Sequence, residues 1–278
     1  MSDNWVVQHL LQAVDTWNRT LTEIFGLLSV SPEQFRGGGI WKVIVRINEV
    51  MQGTGLALLV LFFVWGLAHE GFEMRNLQRP EHLLRVFLRF AFAKGLVTYA
   101  LPLMQAVFSI MQGMIANVAQ QAGVTAGEAA VLPQELISAV EQASFFQSVP
   151  LWSVTLIGAL FVIVLSFVMI LTVYGRFFRL YFYTVLAPVP LAAFASEATQ
   201  NTAKSFLKSY FAVCLEGVVI MLACVIFSAF VSQPPVFDQN INTVTGIWMY
   251  LCALIFNMLV LVGAVKASDR VVREMMGI

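Results

Sequence analysis

Charged side chains inside apolar stretches are the residues of this chain best suited to chemistry. The apolar segment 90–115 holds Lys94, and the segment 209–231 holds Glu216. Charges inside a membrane are rare, and they usually face a cavity or a partner. Three interpretations remain open: a structural Lys94–Glu216 ion pair, a polar lining for a conduit or subunit interface, and a Lys94 side chain that extends back to the cytoplasmic face.

Other polar residues extend this set. Arg85 and Arg89 lie one helical turn apart just before Lys94, and Asn257 is a lone amide in an apolar run, a residue type that commonly bonds a neighbouring helix. The candidate polar residues of a pore or an interface are therefore Arg85, Arg89, Lys94, Glu216 and Asn257.

Enzymatic chemistry has little support in the sequence. The three histidines are His9, His69 and His82, and the motif HEGFE at 69–73 lacks the second histidine of a zinc-binding helix. The three cysteines fall in apolar blocks without metal-ligand spacing, which is typical of buried small hydrophobic residues. We expect no catalytic site, no metal and no cofactor.

Composition indicates an integral membrane protein. The 278 residues have a mean hydropathy of +0.80, 59% of them are hydrophobic, and only 12% are charged, about half the share of a soluble chain. The apolar residues form long blocks rather than alternating patterns. Because the net charge is zero, the chain as a whole has no electrostatic footprint for nucleic acid.

Five blocks have roughly the 20 residues that a helix needs to cross a bilayer. The sequence predicts spans at 50–68, 90–115, 151–174, 209–231 and 246–265, with Pro102 as a tolerated kink in the second of them. The predicted fold is an all-α polytopic membrane protein.

Lysine and arginine in the connections predict the orientation. The connection 69–89 and the C-terminal tail are basic, whereas the connections 116–150 and 232–245 contain neither residue. With five spans, every basic connection is cytoplasmic, the N-terminus is outside and the C-terminus is inside. The chain is expected in a bacterial plasma (inner) membrane. The four Lys and Arg residues among the first 49 do not fit this orientation, although five acidic residues in the same segment offset their charge.

The segment 180–196 is apolar but contains Pro188 and Pro190, which predict a broken helix. If it crossed the membrane, the basic tail would lie outside. We therefore predict a re-entrant segment that returns to the side from which it came, with an ordinary kinked span as the alternative. The basic residues beside it are expected to form a cytoplasmic rim: Arg176, Arg179, Lys204 and Lys208.

Four regions follow from this interpretation. Residues 1–39 form an external amphipathic helix, with an apolar stripe over 5–28, and a Gly-rich hinge. The helix lies on the outer leaflet or on a partner. Residues 40–115 hold two spans, 116–150 form an external loop with a possible short helix at 133–146, and 151–278 hold three spans, the re-entrant segment and a basic tail.

The segment GRFFRLYFYTVLAPVPLAAFASEATQNTAKSFLKSYFAVCLEGVVIMLACVIF, residues 175–227, resembles the TrbL family, relatives of the VirB6 subunit of type IV secretion systems. The features that carry the resemblance are a helix start rich in basic and aromatic residues, an AP-x-P break, a polar loop and the LKSYF sequence that opens the next span. Order and topology agree over about 40–270.

This resemblance implies a channel or scaffold subunit of a conjugation machine, through which DNA, a nucleoprotein or protein leaves the cell. Its implied partners are other secretion subunits, including a cytoplasmic ATPase, the lipid membrane, further copies of the chain and transiently the single-stranded DNA. The absence of a GxxxxGK[ST] loop agrees with a passive role. The alternatives are a small-molecule transporter and a holin-like pore protein.

Overall fold

The structure, a computed structural model, describes residues 5–71, 80–121, 134, 137–138, 145–231 and 243–278. The predicted loop helix at 133–146 therefore lies mostly outside the described residues. The described helices are α1 (Trp5–Ser29), α2 (Gly39–Gly71), α3 (Pro80–Thr98), α4 (Ala100–Gln121), α5 (Phe145–Leu186), α6 (Pro188–Leu191), α7 (Gln200–Val231) and α8 (Thr243–Met276), with short 3₁₀ turns at Phe35–Gly38 and Ala192–Ala195.

Within the described residues, five helical stretches are long and apolar enough to cross a membrane, as predicted. They are Phe35–His69, Ala100–Gln121, Thr155–Leu186, Gln200–Phe230 and Trp248–Met276. Several bounds differ from the predicted ones. The predicted span at 90–115 divides between α3 and α4, because the helix is interrupted at Tyr99, three residues before Pro102. The helix that contains Glu216 begins at Gln200 instead of 209.

The described chain divides into two compact units. The first unit takes its residues from Met1–Ser29, Ile115–Tyr174 and Val218–Ser268. In it, the predicted apolar stripe of α1 is buried by protein, with Trp17, Ile24 and Leu28 completely covered. This stripe is therefore not exposed to lipid.

The second unit takes its residues from Val30–Met114, Gly175–Gly217 and Asp269–Ile278. It has four main elements, and each runs antiparallel to the one before it in the sequence. They are α2, α3 with α4, the end of α5 with α6, and the first half of α7. Contacts along their lengths establish this order, joining Phe63 to Phe90, Gln52 to Thr98, Glu33 to Gln105, Asn48 to Thr184 and Arg179 to Glu216.

Within the second unit, a tight turn joins the linker after α1 to α2. Arg36, Gly37 and Gly38 all have positive φ angles, of 49°, 73° and 76°. Glycine adopts this conformation without strain, which explains the two glycines. The turn lies where the sequence predicted a hinge, and Phe35 before it is anchored by stacking on Phe177 at 4.2 Å between ring centroids.

The proline-rich segment is broken at the predicted place but does not fold back on itself. Helix α5 continues to Leu186, and α6 and a 3₁₀ turn carry the chain to Ser196. Pro188 lies against Gly55 of α2, and Ser196 lies against Gly66 three turns later, so the segment advances along α2. It extends α5 to the turn before α7. Close packing on α2 covers the broken backbone, as a re-entrant segment requires, and the re-entrant course of 180–196 stays a prediction.

Candidate functional site

Arg179 on α5 is the centre of a charge cluster in the second unit. Its Nη2 donates to Oε1 of Glu216 at 2.6 Å, and its Nη1 donates to Oδ1 of Asp269 at 2.7 Å. The Nε of Arg273 donates to both oxygens of the same aspartate at 3.1 Å. Because Glu216 is on α7 and Asp269 is on α8, one guanidinium joins three helices.

Arg176, one turn before Arg179, is fully buried. Its guanidinium carbon lies 5.9 Å from the ring centroid of Phe108 and 5.8 Å from that of Phe177, so two aromatic rings flank the charge. Neither Nε nor the two Nη atoms has a hydrogen-bond partner among the described residues. Cation–π contacts offset only part of the cost of removing an arginine from water.

Gly217 makes room for this guanidinium. A Cβ atom at Gly217 would lie 2.5 Å from both Nη atoms of Arg176, closer than any side-chain carbon can approach. The neighbouring Glu216 is 1% exposed, and its second carboxylate oxygen, Oε2, has no hydrogen-bond partner in the described part of the chain. Glu216 therefore supplies a negative charge to Arg179, and Gly217 leaves space for Arg176.

The cluster contains more positive than negative charge. Three arginines (Arg176, Arg179 and Arg273) face two carboxylates (Glu216 and Asp269). Arg176 and Glu216 are its buried members, and removing the partner of a buried charge is costly in a low-dielectric interior. The arrangement is suited to holding α5, α7 and α8 in one register, and it contains no nucleophile paired with a base.

Asn48 of α2 compensates for the first proline break. Pro188 has no N–H, so the helix cannot bond the carbonyl of Thr184 four residues earlier. The Nδ2 of Asn48 donates to this oxygen at 2.8 Å, and both Asn48 and Thr184 are buried. A side chain thus replaces the missing backbone donor, as broken helices in membranes require.

Gln52, one turn further along α2, does the same for Pro102. The carbonyl that Pro102 leaves without a donor is that of Thr98, and the Nε2 of Gln52 donates to it at 2.7 Å. Thr98 is exposed on the helix surface, where a bilayer would offer no water to take the place of this bond. One face of α2 therefore satisfies both proline-broken helices.

Residues of α2 and α3 pack over the segment after Pro188. Cβ atoms at Gly55 and Gly66 would lie 2.7 Å from the carbonyl oxygen of Pro188 and 2.9 Å from the hydroxyl of Ser196, so both glycines are required by the close approach. At the end of the segment, the Nη2 of Arg89 donates to Oε2 of Glu197 at 3.2 Å.

The structure separates several residues that the sequence analysis grouped. Glu216 bonds Arg179 rather than Lys94, which is exposed on α3. The proposed Lys94–Glu216 pair is therefore not formed. Arg85 is exposed on α3, and Asn257 is half-buried on α8 in the first unit. Among the predicted intramembrane residues, only Glu216 belongs to the charge cluster.

The predicted cytoplasmic rim is divided as well. Arg176 and Arg179 lie near the beginning of α2, as the stacking of Phe177 on Phe35 shows. Lys204 and Lys208 are exposed on the first three turns of α7, which begins just after the turn at Ser196, close to Gly66 of α2. Pro188 is buried and Pro190 half-buried in the break itself.

Sequence reasoning missed Asn48, Gln52, Asp269 and Arg273. The two amides had a detectable signal, because they lie one turn apart in an apolar helix, but their carbonyl partners become apparent only in three dimensions. Within the described residues, no group of three His, Cys, Asp or Glu side chains is arranged to hold a metal ion. Of the three cysteines, Cys214 and Cys224 are buried and Cys252 is exposed.

The helices and the buried charges define the class of protein: an all-α polytopic membrane protein. Residues 17–188 match the family described as TrbL/VirB6 plasmid conjugal transfer like protein. This match covers more than half of the 278 residues, and the chain belongs to this family. It ends at Pro188, so the LKSYF segment lies beyond it. No curated protein and no solved structure matches the chain.

Proposed function

We propose that the chain is a membrane-embedded channel or scaffold subunit of a type IV secretion machine, and that it forms part of the path by which DNA or protein leaves the cell during conjugation. The family match over residues 17–188 carries the proposal. Five helical stretches of spanning length and a buried charge cluster in the second unit support a polytopic subunit whose helices keep a fixed register.

In this role the chain is passive. The energy comes from a separate cytoplasmic ATPase, and the subunit has no catalytic function of its own. The orientation that fits the basic connections places the N-terminus outside and the C-terminus in the cytoplasm.

The functional subunit is a homo-oligomer. Five spans in one chain are too few to enclose a path wide enough for a DNA strand. Several copies, with lipid around them and other secretion subunits beside them, are needed to form such a path. Mass measurement of the complex in a mild detergent tests this, and a purified monomer that supports transfer after reconstitution would overturn it.

Deletion and complementation test the proposal itself. Removing the gene from a conjugative element is expected to abolish transfer, and the wild-type gene supplied in trans is expected to restore it, while solute uptake and cell lysis remain unchanged. A strain that loses uptake of a solute but still transfers DNA would indicate a small-molecule transporter. Altered lysis with normal transfer would indicate a holin-like pore.

A further inference from the structure

A cavity of about 220 Å³ lies in the second unit beside the tight turn before α2. Its floor is buried and consists mainly of Phe108, Leu180, Thr184 and Tyr210. Its exposed lining residues are Glu33 and Ser109, which mark the mouth of the cavity. Trp41 and Gln105 complete the part of the wall closest to the mouth.

Two buried hydroxyls that line this cavity already donate hydrogen bonds within the protein. The hydroxyl of Tyr210 donates to the carbonyl of Met104 at 2.8 Å, and that of Thr184 donates to the carbonyl of Leu180 at 2.8 Å. Each hydroxyl oxygen keeps lone pairs that can accept a bond. These two oxygens therefore offer acceptors to a molecule that enters the cavity, and Ser31, Ser109 and Gln112 add further polar groups to the wall.

The carboxylate of Glu33 at the mouth likewise favours a ligand that donates hydrogen bonds. The Nε2 of Gln105 donates to Oε1 of Glu33 at 2.8 Å, which fixes the carboxylate while Oε2 keeps its capacity to accept further bonds. Among the described residues that line the cavity, none is lysine, arginine or histidine. Trp41 beside the carboxylate provides an aromatic surface of the kind that attracts cations.

One nearby charge limits where a cation can bind. The guanidinium of Arg176 lies 5.9 Å from the centroid of the Phe108 ring, outside the lining residues. It repels a cation at the floor of the cavity. A ligand with a positive group at Glu33 and a short apolar part against Phe108 and Leu180 satisfies both conditions.

We propose that this cavity is a binding site for a primary ammonium group with a short alkyl chain, held by Glu33 at the mouth. The volume equals about seven waters, at ~30 Å³ each, which is enough for a small amine. A primary ammonium carries three N–H donors, and the cavity supplies acceptors. A trimethylammonium carries none. The site is independent of the transfer role.

Binding of n-propylammonium to the purified protein in phosphatidylglycerol nanodiscs tests the proposal. We expect saturable binding to the wild-type protein, and about tenfold weaker binding of choline, which has no N–H. We also expect Glu33→Gln to weaken propylammonium binding about tenfold or more, because it removes the charge while its amide oxygen can still accept from Gln105. Equal affinity for choline and propylammonium contradicts the proposal, and so does an unchanged affinity in Glu33→Gln.

A matched variant controls for loss of a carboxylate in general. Glu49 is an exposed carboxylate on α2 outside the cavity, and Glu49→Gln is expected to leave binding unchanged. The thermal stability of both variants is measured in parallel. Weaker binding in Glu49→Gln to the same degree as in Glu33→Gln overturns the assignment to this cavity. Absence of saturable binding shows that the cavity holds water only.

A second experiment distinguishes a lipid headgroup from a free amine as the source of the ammonium group. Native mass spectrometry after extraction from mixed phosphatidylethanolamine and phosphatidylglycerol vesicles reports which lipid stays bound. Glu33-dependent retention of phosphatidylethanolamine identifies a lipid headgroup as the ligand. Saturable binding of propylammonium without such retention identifies a free amine.

Discussion

The side-chain amide of Asn48 donates to the carbonyl of Thr184, the backbone acceptor that Pro188 leaves without a helical donor. Gln52 has the same relationship with Thr98 and Pro102. Two proline breaks, distant in sequence, are thus satisfied by two amides one turn apart on α2. We therefore expect energetic coupling between Asn48 and Pro188, and between Gln52 and Pro102.

Asn48→Leu is expected to lower the free energy of unfolding by about 1–3 kcal/mol, since it leaves a buried carbonyl without a partner. In a Pro188→Ala background the loss should be smaller, because residue 188 then has an N–H that can bond Thr184. The measurement is a double-mutant cycle from SDS-induced unfolding in mixed micelles. The combination of Asn48→Leu with Pro102→Ala is the control, and it should be additive. Equal losses in both backgrounds would contradict the pairing.

Gln52→Leu gives the second cycle, with Pro102→Ala as its partner. Thr98 is exposed, so the loss depends on the surroundings of the helix. We expect a loss of about 1 kcal/mol in lipid bicelles, where no water reaches the carbonyl, and a smaller one in a hydrated detergent micelle. A loss independent of the surroundings, or unaffected by Pro102→Ala, would show that Gln52 stabilises the protein by other means.

Arg179→Met removes the common partner of Glu216 and Asp269. Because Glu216 is 1% exposed, its charge would remain in the interior without a hydrogen bond, and we expect a loss of about 3 kcal/mol. Arg270→Met, which breaks only the exposed pair with Glu274, should cost about 0.3–0.5 kcal/mol. Similar costs for the two variants, measured by the same unfolding assay, would be evidence against the bridge.

Lys94→Met distinguishes the observed ion pair from the one expected from the sequence. Lys94 is exposed and Glu216 bonds Arg179, so we expect this variant to unfold within about 0.5 kcal/mol of the wild type. Exchange of charges between positions 94 and 216 should give no rescue. If the double exchange recovers stability that each single change loses, the Lys94–Glu216 pair exists after all.

Gly217→Ala places a methyl group where the Arg176 guanidinium lies. We expect a loss of about 1–3 kcal/mol from overpacking. Gly113→Ala on α4 is the matched control, because a Cβ there meets nothing within 4 Å. Alanine favours a helix over glycine by about 1 kcal/mol, so the control should be neutral or more stable. A stabilised Gly217→Ala protein would mean that the guanidinium moves away freely.

The sequence predicts the local features of this protein well. Pro188 marks the end of α5 because proline excludes the helix locally, and the α1 stripe follows from a 3.6-residue period. Relations between helices were not predictable in the same way. Assigning the start of the Glu216 helix to residue 209 placed Glu216 about two turns into its helix, at the supposed depth of Lys94. The actual start at Gln200 removes that coincidence.

Arg176 is a second case in which the sequence does not reveal a contact between helices. Beside aromatic residues at the end of an apolar run, it resembles an interfacial anchor. In the structure it is fully buried, because Gly217 on another helix leaves space for it. Neither residue alone indicates this contact. Likewise, Asn48 is an ordinary amide until Pro188 is placed beside it.

The central claim is that this chain forms part of the path of the transferred substrate. Photo-crosslinking in mating donor cells, followed by purification of the chain and amplification of the transferred strand, tests it most directly. We expect the strand to be recovered with the chain in cells with an active secretion ATPase, and to be lost when the ATPase is inactivated. Recovery of the strand with another subunit in the same cells, but never with this chain, would contradict it.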